Sequence, residues 1–410
     1  MRPSSNAKTA IQELSAYSRD RLIAATLYTA HELNLPIAIW RLPNRSEINL
    51  IVSLEGSRSL TKVDLEELPS GFVFAPFDFG DKPAQFIQAD FSLSFDFEEV
   101  IENRNVVSKG HDDPLREFKN RFMAVLDNSD IVPKYHFNQK HSQQNTTDYK
   151  ALVALSVNAI KEGSFEKVVP ARSKSIPLDK TFNPVDLILG LVSEYPRAFV
   201  SCVSMPDKGT WIGATPEVLI EKSGDSFKTV ALAGTQHFNT DKDMSETAWT
   251  QKEIEEQAMV SRYIINCFKK IRLREYTEIG PRTAKAGNLL HLKTTYEVDT
   301  NATNFPELAT TMLELLHPTS AVAGMPKENV MPFLKKHEGL DRSFFSGFLG
   351  PVSIEDASSL FVNLRCMQLL QHQAILYAGA GVTADSNPSK EFQETEIKFN
   401  TLLNVLNKPA

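Results

Sequence analysis

The sequence predicts a fold of mixed α-helices and β-strands, because two kinds of hydrophobic pattern alternate along the chain. Short apolar stretches typical of strands lie between longer stretches with helical periodicity. No segment repeats at a fixed period, which argues against a solenoid or a propeller. In the longer, C-terminal part the predicted strands are 167–173, 198–204, 210–212, 218–221, 361–370 and 374–378. The predicted helices there are 148–162, 184–193, 245–274, 305–316 and 388–406.

A polar segment divides the chain into two unequal parts. Residues 139–148 read QKHSQQNTTD and carry no large apolar side chain, so they are predicted to form an exposed connector. We therefore distinguish a strand-rich N-terminal part, residues 1–140, from a region at residues 149–410. In the N-terminal part, strands are predicted at 37–42, 48–54 and 71–77, after a helix around 11–33.

The composition of the 410 residues is that of an ordinary globular protein, with 42% hydrophobic and 23% charged residues. The formal net charge of −7 offers no broad basic field that would attract nucleic acid or an anionic membrane. A small anionic ligand would therefore need a local positive site. Placed Lys or Arg side chains, or a cation held by carboxylates, can supply one.

The three cysteines, Cys202, Cys267 and Cys366, are far apart and odd in number, so they suggest neither a disulfide framework nor a zinc site. The N-terminus has no apolar segment after its basic residue, and no long uninterrupted apolar run occurs anywhere. A reducing, cytoplasmic location without membrane contact is therefore expected.

The start of the C-terminal helix is the clearest. Asn387 can cap it, and Pro388 suits the first helical position because an amide there has no partner within the helix. Glu391, Glu394 and Lys398 recur on one face of this helix. In an arbitrary helix such a stripe is usually a solvated surface with an internal Glu–Lys pair. The apolar face comprises Phe392, Phe399, Leu402, Leu403 and Leu406.

Two features before this helix are suited to anions. Gly379 and Gly381 follow an apolar strand, and a glycine turn lets backbone amides approach a carboxylate, although alone this pattern is weak evidence and is more typical of a tight strand-to-helix turn. Arg365 lies in the apolar run SLFVNLRCMQLL, and a buried guanidinium needs a partner. That partner is either an internal carboxylate or a carboxylate of a ligand.

Nine motifs occur in a fixed order over residues 150–406. They are FEKVVPAR, IGATPEVL, LAGT, EEQAMV, LLHLKT, LHPTSAVAGMP, FFSGFLGPV, NLRCMQ and YAGAGVTADSNPSKEFQETEIK. In these motifs the chain resembles the chorismate-utilising enzymes, a family that includes isochorismate, salicylate, anthranilate and aminodeoxychorismate synthases. Each motif alone is weak evidence, but the ordered set is specific.

The resemblance implies one large α/β domain in which two β-sheets pack at the centre and helices surround them. The N-terminal strands then complete this domain, and residues 149–410 form its chorismate-binding catalytic region. It also implies a Mg²⁺ cofactor held by Glu256, Glu391 and Glu394, directly or through water. Carboxylates suit Mg²⁺, and the ion would turn an acidic site into one that accepts a dianion. Glu253 and Glu255 are alternatives to Glu256 within the same helical turn.

The remaining site residues are also assigned by the resemblance. It places Arg365, Lys398 and the backbone of Gly379 around a second substrate carboxylate, with a fork geometry that fixes its orientation. Further residues of the same cavity are Gly234, Thr235, His291, Ala321 and Phe345. For His291, a hydrogen-bonded core histidine is as good an interpretation as a substrate contact.

The implied reaction is the isomerisation of chorismate to isochorismate. Lys167, as general base, removes a proton from water as it attacks C2, and Glu217, as general acid, protonates the departing C4 hydroxyl. Lys167 occupies the position at which ammonia-using members usually carry Gln. Ala233 stands where aminodeoxychorismate synthases carry a nucleophilic Lys. Both differences favour water as the nucleophile.

Three alternatives remain. Salicylate synthases go on to eliminate pyruvate and often carry hydroxyl side chains at the positions of Ala321 and Phe345, so this chain is expected to stop at isochorismate, although Leu364 is found in lyase-active members. A non-catalytic chorismate-binding homologue and a large subunit working with a glutaminase are the others. The presence of all five expected residues, Lys167, Glu217, Glu256, Glu391 and Glu394, argues against the first of these, and Lys167 also argues against the second. A monomer is expected. The product would feed menaquinone, siderophore or salicylate synthesis.

Overall fold

The structure, a computed structural model, describes residue 14 and residues 17–96, 112–128, 130–138, 147–237, 247–286 and 289–408. The predicted connector lies almost entirely outside the described residues, as does the first part of the predicted N-terminal helix. None of the helices in the described ranges is long and apolar enough to cross a membrane.

Eight helices and nineteen strands are present in the described part of the chain. Helices α1 to α8 span Arg19–Glu32, Asp112–Leu126, Tyr149–Lys161, Pro184–Glu194, Gln251–Lys270, Leu308–Leu316, Lys327–His337 and Pro388–Leu406. Strands β1 to β10 span Ile37–Arg41, Glu47–Val52, Arg58–Leu60, Gly71–Ala75, Ala84–Gln88, Phe91–Asp96, Lys167–Val168, Ala171–Pro177, Phe199–Met205 and Gly209–Thr215. Strands β11 to β19 span Val218–Ser223, Ser226–His237, Thr277–Ala286, Leu289–Asp299, Gly324–Met325, Phe348–Val352, Ala357–Val362, Cys366–Leu369 and Gln373–Gly379.

Two large antiparallel sheets organise the fold. The first has the strand order β6-β2-β1-β9-β10-β18-β19-β8, and the second has the order β13-β14-β12-β11-β17-β16-β4-β5-β3. Strands from the N-terminal part contribute to both sheets. The predicted architecture of one domain with two central sheets surrounded by helices is therefore confirmed.

Three apolar layers hold the sheets and helices together. One layer lies between the first sheet and helices α1, α2, α4 and α8, and another lies between the second sheet and helices α3, α5, α6 and α7. The third fills the space between the two sheets with aromatic side chains, among them Phe72, Phe199 and Phe361. Strands β9 and β10 are buried along their whole length because both of their faces are covered.

The caps of the two helices that border the site follow from local sequence. At α8, the Asn387 side chain accepts hydrogen bonds from the amides of Ser389 and Lys390, and Pro388 occupies the first helical position as predicted. At α5, Thr250 and Glu253 form a reciprocal capping box. These caps fix the first residue of each helix and therefore the positions of its acidic side chains.

Two predicted strands are interrupted in the structure. The predicted strand 167–173 is broken at Pro170 into β7 and β8, because proline has no amide to donate. The predicted strand 361–370 is two strands in different sheets: β17 of the second sheet ends at Val362, β18 of the first sheet begins at Cys366, and between them Arg365 has a φ of 48°. The prediction that Arg365 lies inside a strand is therefore wrong, since a left-handed residue cannot continue the ladder.

Candidate active site

A cavity of about 240 Å³ lies where strands β7, β12, β14 and β19 approach helices α5 and α8. Eleven of the thirteen predicted site residues line it: Lys167, Glu217, Gly234, Glu256, His291, Ala321, Phe345, Arg365, Gly379, Glu394 and Lys398. The two others are Glu391, which is buried close by, and Thr235, whose side chain lies outside the described residues. Segments distant in sequence therefore meet at one place.

Lys167 lies on the short strand β7, which pairs with β15, and its side chain is only 2% exposed. Its Nζ donates a hydrogen bond of 2.9 Å to Oε1 of Glu256 on α5. A Cβ on Gly381 would lie 3.1 Å from Cε of Lys167 and 3.2 Å from that carboxylate oxygen. Residues 379–381 read GAG, and we call them the GAG turn. Its second glycine, Gly381, therefore leaves the space that this ion pair needs.

Glu217 lies between β10 and β11, directly after Pro216, and faces the same cavity. Burial raises the pKa of Glu217 to about 7, although the positive charges of Lys167, Arg365 and Lys398 oppose this shift. A carboxyl group with this pKa is partly protonated near neutral pH. It can therefore donate a proton to a leaving group.

The structure distinguishes the three carboxylates of the α5 turn. Glu253 is occupied by its capping role, since Oε2 accepts from the amide of Thr250, and Glu255 is exposed and bonded to Gln251. Glu256 is the one paired with Lys167. Burial alone would raise the pKa of Glu256, but the neighbouring Lys167 ammonium holds it below its usual value.

The two predicted metal-binding carboxylates of α8, Glu391 and Glu394, are each paired with a lysine. Oε1 of Glu394 lies 2.7 Å from Nζ of Lys398, which also donates a hydrogen bond of 2.7 Å to the Gly379 carbonyl. Oε1 of the buried Glu391 lies 3.4 Å from Nζ of Lys252, whose side chain is half exposed. In the predicted stripe on α8, the Glu391 side chain is thus 3% exposed, that of Lys398 19% and that of Glu394 36%.

The carboxylates fit Mg²⁺ in their chemistry, since this ion prefers oxygen ligands and usually keeps several waters. Nevertheless, in the ranges that the structure describes, no three acidic, histidine or cysteine side chains gather closely enough to form a metal site by themselves. Glu256, Glu391 and Glu394 each face a lysine instead. An ion would have to take the place of these ammonium partners or reach the carboxylates through water.

Arg365 presents its guanidinium to the cavity. Within the described residues, no carboxylate lies within 4.0 Å of it, and the positive φ at the strand break turns this residue out of the ladder. Burial lowers the pKa of Arg365, and the charges of Glu394 and Glu217 oppose the shift. Of the two predicted partners for this guanidinium, the absence of an internal carboxylate favours a ligand.

His291 on β14 is buried, and its Nδ1 donates a hydrogen bond of 2.6 Å to the carbonyl of Gly234. This contact fixes the tautomer, so that Nε2 is an acceptor, and Nε2 has no partner among the described groups. Gly234 has a φ of 68° at a bulge of β12, a conformation that glycine adopts without strain. Burial lowers the pKa of His291 to about 4, so the ring is neutral.

Part of the cavity lining is apolar, and we call it the apolar wall. Ala321, Leu364 and Phe345 line it, and the Phe345 ring stacks on Tyr377 at a centroid distance of 5.4 Å. Neither Ala321 nor Phe345 carries a hydroxyl group into the cavity. A flat carbon ring can pack against this wall while its polar substituents face the other side.

Sequence reasoning missed a buried ion pair at the wall of the cavity. Arg342 donates to Glu338 and to the carbonyls of Val169 and Val322, and Glu338 accepts from the amide of Ala171. The pair thereby fixes the segment after Lys167 to the loop that carries Ala321. The spacing of Glu338 and Arg342 by four residues was the available signal.

Comparison with known proteins assigns this chain to a group. The family model described as "Chorismate binding enzyme" matches residues 81–407. The isochorismate synthase EntC of Escherichia coli K12 is 29% identical over 264 residues, which cover 63% of this chain and 67% of EntC.

Two solved structures have the same fold. The menaquinone-specific isochorismate synthase MenF of Escherichia coli has a TM-score of 0.75 at 20% identity, covering 96% of this chain and 92% of MenF. Anthranilate synthase component I of Streptococcus pneumoniae has a TM-score of 0.65 at 19% identity, covering 89% of each chain. The fold is thus common to enzymes with different products.

Proposed function

Because this chain belongs to the family of chorismate-binding enzymes, we propose that it is an isochorismate synthase. The observation that carries this proposal is the meeting of a buried lysine, Lys167, and a carboxyl group of raised pKa, Glu217, in one cavity. Sequence similarity to EntC supports the same product.

The two groups have opposite tasks in an addition of water coupled to loss of a hydroxyl. Lys167 accepts a proton from the water whose oxygen bonds to C2, and Glu217 gives a proton to the oxygen leaving C4. The ring double bonds shift, and no electrons are gained or lost overall. Each transfer is expected to contribute about 10²- to 10⁴-fold in rate. Lys167 can act as a base only when it is neutral. The ion pair with Glu256 is therefore absent from the reactive state.

Substrate orientation is assigned to the groups around them. The fork of Arg365 and the ammonium of Lys398 would hold one carboxylate, and Nε2 of His291 can accept a hydrogen bond from a ring hydroxyl. The ring would pack against the apolar wall. A Mg²⁺ ion held by Glu256, Glu391 and Glu394 would supply positive charge for the second carboxylate.

The principal alternative is salicylate synthesis, which adds the elimination of pyruvate. The apolar wall argues against it, since Ala321 and Phe345 offer no hydroxyl group to the ring. A glutaminase partner is not expected, because Lys167 stands at the position that favours water. We further propose a cytoplasmic monomer; the three buried free cysteines suit a reducing compartment, and a native mass measurement checks the monomer.

Substitution Lys252→Met is expected to tighten Mg²⁺ binding about three- to tenfold, because the ammonium beside Glu391 competes with a cation for the same carboxylate. Calorimetric titration of the substrate-free protein with Mg²⁺ measures this. Lys269→Met, at the exposed far end of the same helix, is the matched control and should leave the affinity unchanged. Weaker Mg²⁺ binding in Lys252→Met would mean that the lysine supports the site and does not compete for it.

The experiment for the proposed function is incubation of the purified protein with chorismate and chromatography of the products. It is run with Mg²⁺, with EDTA, and with Mg²⁺ plus ammonium. Isochorismate alone, lost with EDTA and unaffected by ammonium, is expected. Salicylate with pyruvate would establish the alternative, anthranilate would contradict the role of Lys167, and bound but unchanged chorismate would make the protein a non-catalytic homologue.

A further inference from the structure

A second concavity, of about 300 Å³, adjoins the catalytic cavity, and we call it the basic groove. It lies on the face of strands β11 to β14 that is turned away from α5, and the turn after β1 borders it. Pro216 and Leu232 line both the groove and the catalytic cavity. The charged residues of the groove are Arg197, Lys228, Arg282, Lys285 and Lys293 together with Glu221 and Glu297.

One strand leads from the groove into the catalytic cavity. Residues 291, 293, 295 and 297 of β14 point to the same side of the second sheet, because side chains alternate along a strand. Lys293 lines the groove, and His291, two residues before it, lines the cavity. Their Cα atoms are therefore about 7 Å apart.

Charge in the groove is unbalanced. The two carboxylates are both within reach of Lys228, whose Nζ lies 3.3 Å from Glu297 and 4.0 Å from Glu221. Within the described ranges, no ion pair involves Arg197, Arg282 or Lys293. The groove therefore keeps an excess of positive charge on a protein whose formal net charge is −7.

Lys293 is the most constrained of these cations. It is half-buried in β14, opposite Leu232 in one neighbouring strand and Arg282 in the other. Burial lowers the pKa of Lys293, as do the nearby charges of Arg282 and Lys228, while Glu221 opposes the shift. An anion bound beside Lys293 would relieve this repulsion between like charges.

We propose that the basic groove is an antechamber that binds the dicarboxylate substrate before it enters the catalytic cavity, with Lys293 and Arg282 as its carboxylate contacts. This inference rests on the proposed function. Clefts lined by one sign of charge raise the local concentration of ligands of the opposite sign. The groove provides this attraction next to Glu217, on a protein that as a whole repels a dianion.

The test compares Lys293→Gln, Arg282→Gln and the double variant with the wild-type protein in steady-state turnover of chorismate. The double variant is expected to lose about tenfold in kcat/KM at low ionic strength, with the loss in KM. Raising the NaCl concentration from about 0.01 M to about 0.3 M should lower kcat/KM of the wild type toward that of the variant. A double variant of equal charge change, Lys161→Gln with Lys336→Gln, is the control for net charge.

A direct readout accompanies the kinetics. Acetylation of Lys293 by a water-soluble acylating reagent, followed by mass spectrometry, is expected to slow in the presence of chorismate, whereas acetylation of Lys161 is not. Unchanged labelling of Lys293, or equal kinetic losses in the control variant, would overturn the antechamber. Absence of isochorismate with the wild-type protein, while chorismate still protects Lys293, would instead refute the proposed function alone.

Discussion

Replacement of Lys167 by alanine is expected to lower kcat about 10²- to 10⁴-fold, since it removes the only group proposed to accept the proton of the attacking water. The side chain is buried against Gly381 and bonded to Glu256, so its truncation leaves a space beside that carboxylate. Assays of chorismate turnover, stopped at fixed times, measure this decrease in kcat.

The control must separate a missing base from a damaged site. Lys174→Ala, on the adjacent strand β8 and paired with Glu396, removes a partly exposed lysine outside the cavity and should retain full activity. Small primary amines added to Lys167→Ala should restore part of the rate, because they can occupy the space left and accept the proton. Near-normal turnover in Lys167→Ala would remove this residue from the mechanism.

Substitution Glu217→Gln is expected to lower kcat by a similar 10²- to 10⁴-fold, because an amide of the same shape cannot protonate the departing hydroxyl. Substrate affinity should change little, since the shape of the side chain is retained. Pre-steady-state binding and turnover measurements separate these quantities. A wild-type kcat in Glu217→Gln would mean that Glu217 is not the acid that protonates the departing hydroxyl.

The raised pKa of Glu217 also predicts a pH profile. Glu217 donates only when protonated and Lys167 accepts only when neutral, so ionisation of Glu217 should lower the slope of log kcat/KM against pH by about one unit near pH 7, and this change of slope reports the free enzyme. A profile whose slope does not change near pH 7 would contradict the role of this carboxyl group.

The same shift makes a separate prediction for stability. The pKa in the folded protein, about 7, exceeds the ordinary value of 4.5, so the folded state binds the proton more tightly than the unfolded state. The resulting stabilisation is present below pH 4.5 and is lost as the pH rises to about 7. Glu217→Gln lacks this loss, so its melting temperature should exceed that of the wild type at pH 8.

Much of the site could be predicted because its chemistry is carried by short motifs. Gly379 and Glu394 lie in one continuous segment at the C-terminus, and Asn387 and Pro388 mark the helix that presents the carboxylates. The choice of Glu256 within its turn rested on the resemblance. The structure supports the same choice without reference to a ligand, because Glu253 is a capping residue and Glu255 is exposed.

Other parts depend on contacts between distant segments. The sequence does not reveal the strand break at Arg365, because the neighbouring residues are apolar and predict one continuous strand. The break is set by the tertiary environment. Helix α2 is not among the predicted elements, because the short apolar runs around it predict strands, although Leu115, Phe118, Phe122 and Leu126 recur at helical spacing. The pairing of Arg342 with main-chain carbonyls of two other segments leaves no pattern in the sequence.

The central claim is that water, activated in this cavity, replaces the C4 hydroxyl of chorismate by adding at C2. The measurement that tests it most directly is turnover in water enriched in oxygen-18, followed by mass spectrometry and NMR of the product. We expect isochorismate that carries one heavy oxygen, located at C2. Isochorismate without the label would mean that the hydroxyl migrates within the substrate, and this would contradict the roles given to Lys167 and Glu217.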